Sequence, residues 1–86
     1  MEDKHTILGV HITNRLKEAV EVQKVLTTSP APIKTRLGLH EVEKESLEGI
    51  LLLEMLGSDE DIQKLADSLN AIEGVEVQSM VFHHPD

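Results

Sequence analysis

Cysteine, tryptophan and tyrosine are absent from this 86-residue chain, and Phe82 is its single aromatic residue. Without cysteine there is no disulfide, no thiolate metal ligand and no thiol nucleophile, and an intracellular chain is the expectation. Without bulky aromatic anchors, Leu, Ile and Val must supply the core. A chain this short buries only about 60% of the surface its unfolded form exposes, so burial in an oligomer would add to a thin core. Basic residues are scarce too: eight Lys and Arg against sixteen Asp and Glu give a formal charge of −8. That balance opposes a phosphate backbone, and no basic patch or stacking platform counters it, so nucleic acid is not expected as a partner. Long hydrophobic runs are missing as well. The longest, residues 47–56, is too short for a membrane span, and residues 1–5 are too polar to begin a signal peptide, so a cytoplasmic protein is expected.

That run is nevertheless the densest apolar stretch. Bounded by Gly49 and by Gly57-Ser58-Asp59, and without a helical polar face, it reads as a strand buried on both sides. Residues 5–12 read as another strand, with Leu8, Val10 and Ile12 on one face and Ile7, Gly9 and His11 on the other. Asn14 is suited to capping a helix that reaches about Leu26, with Leu16, Ala19, Val20 and Leu26 as its apolar stripe and Val25 off it. Pro30 and Pro32 end that helix. Residues 33–40 alternate, Ile33, Thr35, Leu37 and Leu39 against Lys34, Arg36, Gly38 and His40, as expected of a strand near a sheet edge. After the charged connection 41–46 comes the central run. Ser58 and Asp61 then form a capping pair, Ile62, Leu65, Ala66, Leu69 and Ile72 make a second helical stripe, Gly74 stops it, and residues 75–82 alternate as a last strand.

Strand, helix, strand, strand, helix, strand is the ferredoxin-like βαββαβ pattern. The expected fold class is α+β: residues 1–86 as one domain, a four-stranded antiparallel sheet with the first and third strands central and two helices on one face. The other face would then present Ile50, Leu52 and Leu56 with Ile7. An apolar face of that extent calls for a partner, and a homo-oligomer, dimer or tetramer, through the open sheet face is the expectation. Glu54 shares the face by parity, so it is expected either at the rim or paired with a base such as His5 or Arg36.

The sequence carries no nucleophile-base-orienter set and no glycine-rich phosphate loop, which points away from an enzyme and gives no cofactor motif. A small ferredoxin-like enzyme would rest on fold analogy alone. Five histidines are present. His5 and His11 share a face but stand about 20 Å apart along one strand, too far to hold one metal within a chain. His40, beside Glu41 and Glu43, is the candidate for a nickel or zinc site with carboxylates, and this is the alternative reading; the commoner situation is a solvated histidine. Arg36 beside Gly38 offers a guanidinium where backbone permits close approach, suited to a carboxylate or phosphate, against the plainer reading of an ion pair with the acidic excess.

Three stretches, residues 7–15 (Ile-Leu-Gly-Val-His-Ile-Thr-Asn-Arg), 36–39 (Arg-Leu-Gly-Leu) and 71–77 (Ala-Ile-Glu-Gly-Val-Glu-Val), together resemble the small iron-only hydrogenase system regulator family. That resemblance spans about residues 5–82 and implies a ferredoxin-like fold related to ACT domains and to the C-terminal domain of the nickel repressor. Asp67-Ser68-Leu69-Asn70 stands where the family has Gly-x-Leu-Gly, and His40 stands where it has proline. The nickel-repressor ribbon-helix-helix segment that reads DNA has no counterpart. The resemblance implies a non-catalytic regulatory module that senses a small ligand. An ACT-like site would lie near the first strand-to-helix turn, at Thr13, Asn14 and Arg15, where helix N-terminal amides favour an anion, with Arg36 and Gly38 as further contacts.

Overall fold

The computed structural model describes residues 4–39 and 47–83. Its elements are β1 (Lys4–Ile12), α1 (Arg15–Thr27), β2 (Ile33–Leu39), β3 (Gly49–Met55), α2 (Asp59–Asn70) and β4 (Val75–His83). All strand neighbours are antiparallel and the sheet order is β2-β3-β1-β4, so β1 and β3 are central, as the ferredoxin-like arrangement requires. No helix among the described residues is long and apolar enough to cross a membrane.

Strand parity settles what the helices cover. Leu8, Val10 and Ile12 of β1 and Leu51, Leu53 and Met55 of β3 are buried against Val22 and Leu26 of α1 and Ile62, Leu65 and Leu69 of α2. The caps act as the sequence implies. Asn14 Oδ1 accepts the Leu16 and Lys17 amides at 3.1 Å each, and Ser58 Oγ accepts the Asp61 amide at 3.1 Å. Asp59, Glu60 and Asp61 put negative charge where the α2 dipole favours it.

The buried stripe of α1 differs from the one expected. Glu18, Val22 and Leu26 face the sheet with Val25 packed beside them, whereas Leu16 is 79% and Val20 64% exposed and Ala19 is exposed as well. Apolar residues occupy two stripes of this helix, and Glu18 sits in the one that is buried. Its carboxylate, 7% exposed as a residue, accepts the Asn14 amide at 3.2 Å and lies 3.3 Å from Thr13 Oγ1. Thr13 in turn binds the Gly74 carbonyl through its amide at 3.1 Å and its hydroxyl at 2.9 Å. This cluster ties the start of α1 to the start of β4, and the Asn14 amide donating to Glu18 Oε1 helps make a buried carboxylate tolerable.

The second departure is in β2. A register shift between Ile33 and Thr35 turns Ile33 toward the core while Thr35, Leu37 and Leu39 face the open side with Glu54, Leu52 and Ile50. One extra residue in a strand reverses the facing of what precedes it. Arg36 and Gly38 therefore lie on the helix side, opposite Leu53 and Leu51.

Candidate functional site

Two helices do not cover four strands, and a groove of about 380 Å³ remains between α1 and β2. Its apolar wall includes Leu16, Ala19 and Val22 of α1 and Ile12 and Leu51 of the sheet. Arg15, Gln23, Arg36 and Gly38 supply the rest of its functional lining. Arg15 is seated by Gly49: a Cβ there would come within 2.9 Å of Arg15 Cδ, so the absence of a side chain in β3 makes room for the arginine stem. Arg36 reaches across to α1, donating from Nη2 to Gln23 Oε1 at 3.1 Å. Among the described residues no carboxylate forms an ion pair with Arg36, so the expected pairing with the acidic excess is replaced by a neutral amide. Gly38 has no neighbour within 4 Å of the position a Cβ would take, which leaves the groove floor open.

Three of the five expected site residues, Arg15, Arg36 and Gly38, thus converge. Thr13 and Asn14 do not line the groove. The reason for expecting them fails as well, because the amides at the start of α1 are already used. Arg15 N donates to Leu47 O at 2.7 Å, Leu16 N and Lys17 N go to Asn14 Oδ1, and Glu18 N goes to Asn14 O at 2.9 Å. Asn14→Ala is therefore expected to cost about 1 kcal/mol through the lost cap, a fall of roughly 4–8 °C in Tm for a domain of this size. Thermal denaturation measures the loss, and an unchanged Tm would contradict the assignment.

The residues that sequence reasoning missed are Gln23, which reads as a polar helix residue until its partner is seen, and the Leu16-Ala19 wall. The groove can hold an anion with an apolar extension between two guanidiniums. Among the described residues no carboxylate, histidine, serine or threonine lines it.

The open face of the sheet is the second feature. Leu37, Leu39, Ile50, Met80 and Phe82 are exposed on it, with Ile7 and Leu52 half-buried. The apolar area is wider than the central strands alone imply, because both edge strands contribute. Leu56, expected on this face, lies just past β3, where its amide donates to Pro32 O at 2.9 Å. Glu54 is held by Thr35 Oγ1 at 3.0 Å and Lys34 Nζ at 3.8 Å rather than by His5 or Arg36; the bulge brings Lys34 to that position. His11 Nε2 pairs with Glu48 Oε1 at 3.0 Å.

The proposed metal ligands His40, Glu41 and Glu43 lie outside the described residues. Among the described residues no three His, Cys, Asp or Glu side chains come together as a metal site would require.

No family model matches the chain. No curated protein matches it either. Among solved structures it is similar to the uncharacterized protein TM1266 from Thermotoga maritima, with a TM-score of 0.77 and 26% sequence identity over 92% of this chain and 98% of that one. The likeness extends over nearly all of both chains and supports the α+β fold; that protein's description carries no activity.

Proposed function

We propose that this chain is a non-catalytic regulatory module of the ACT-like type, assembled as a homo-oligomer through its open sheet face and sensing a small anionic ligand. The observation that carries the ligand-sensing reading is the convergence of Arg15, Arg36 and Gly38 in one apolar-walled groove. A guanidinium whose partner is a neutral amide gains a charge-assisted pair when an anion takes that amide's place. A role in an iron-only hydrogenase system rests on the sequence resemblance alone.

Isothermal titration against amino acids and nucleotides tests the reading. Binding of either class is expected to weaken at least about tenfold in Arg36→Ala, the range of one charged hydrogen-bond pair. Gly38→Val should also block it, since its Cβ has open space at that position and the branched side chain would occupy the groove, and circular dichroism should show an unchanged fold. Absence of binding by both classes, or binding unaltered in Arg15→Ala and Arg36→Ala, would remove the proposed site.

A further inference from the structure

The strand register divides the open face into four corners. On β2 and β3, toward the Leu39 end, lie Leu37, Leu39, Ile50 and Leu52, and diagonally opposite, on β1 and β4, lie Ile7, Met80 and Phe82, with His5 beside Phe82 at the outer edge. The other two corners are polar. One holds Lys34, Thr35 and Glu54; the other holds His11, Glu48, Glu76 and Gln78. Among the described residues the first polar corner holds one basic and one acidic side chain, and the second holds two carboxylates.

This chequered pattern restricts how a second copy can cover the face. A closed pair needs a two-fold axis lying between the two sheets. An axis parallel or perpendicular to the strands would set each apolar corner on a polar one, leaving charged groups against leucines. An axis along the diagonal joining the polar corners matches apolar with apolar, but it lays Glu48 and Glu76 on the second copy's Glu48 and Glu76. The diagonal joining the apolar corners has neither fault. It sets the Leu37-Leu39-Ile50-Leu52 corner on its own copy, Met80-Phe82 likewise, and brings Lys34 of one chain to the acidic corner of the other.

From this geometry we propose that the chain self-associates face to face about the diagonal running from Leu39 to Phe82, with Lys34 of each copy against Glu76 of the other. The inference rests on the assembly proposed above and adds its orientation. With four strands about 4.8 Å apart and a rise of about 3.4 Å per residue, that axis crosses the strands of the two copies at about 70°, within the near-orthogonal class of sheet packing.

A double-mutant cycle tests the orientation. Lys34 and Glu76 lie on opposite edge strands, at least about 14 Å apart within one chain, so coupling between them must pass through a second copy. The dissociation constant from sedimentation equilibrium at low salt is expected to rise about tenfold in Lys34→Glu, since two symmetry-related attractions become repulsions. Adding Glu76→Lys to Lys34→Glu should return it to within about threefold of the parent. Additive effects of the two substitutions in a chain that still associates would overturn the diagonal orientation. A parent chain that stays monomeric would instead overturn the assembly on which it rests.

Discussion

Gly74→Ala is expected to destabilise the fold by about 3 kcal/mol, an effect from a single methyl group at an exposed residue. Gly74 has φ +87°, a conformation that costs a residue with a Cβ about 1–2 kcal/mol. The added Cβ would also stand 2.7 Å from Thr13 Oγ1 and 2.8 Å from Glu18 Cδ, with the Glu18 carboxylate directly in its path. Displacing a buried carboxylate from its partners costs a further ~1–3 kcal/mol. Urea unfolding gives the value directly, and a loss below about 1 kcal/mol would show that the Thr13-Glu18-Gly74 cluster is less tightly built than its distances imply. The two substitutions are coupled: in a Glu18→Ala background the Cβ no longer meets the carboxylate and only the Thr13 Oγ1 contact remains, so the combined loss should be smaller than the sum of the separate losses.

Leu52→Glu is the second large effect, on assembly rather than folding. Leu52 is half-buried on the open face, beside Leu37 of β2 and Gly9 of β1. In a single chain the new carboxylate reaches solvent, so the fold and its far-ultraviolet spectrum should be unchanged. In the assembly it is buried without a partner in each copy, at several kcal/mol per charge. The association constant should fall by at least about a thousandfold, leaving a monomer in sedimentation velocity. Normal assembly of a folded Leu52→Glu chain would place the interface elsewhere.

The fold was legible because its signals were local and independent: Asn14 and Ser58 as caps, prolines after the first helix, alternation in the strands, and one apolar run whose density marked a central strand. What was not legible depended on tertiary packing. The two apolar stripes of α1 are equivalent in sequence, and the buried one contains Glu18, which only Thr13 and Asn14, folded back over it, make acceptable. The facing of β2 turned on one extra residue at Lys34, a shift of a single position that alternation cannot reveal. Arg36 lines the groove, and its partner Gln23 stands thirteen residues away on another element. At Thr13 and Asn14 the sequence signal was real, but its cause is the structure of the turn itself.

Sedimentation equilibrium of the unmodified protein at tens of micromolar tests directly whether the apolar open face joins copies of this chain. A face presenting Leu37, Leu39, Ile50, Met80 and Phe82 to water should associate by burying them. The expected result is a concentration-dependent mass of twice the chain or more. A single species at the chain mass across that range would contradict it.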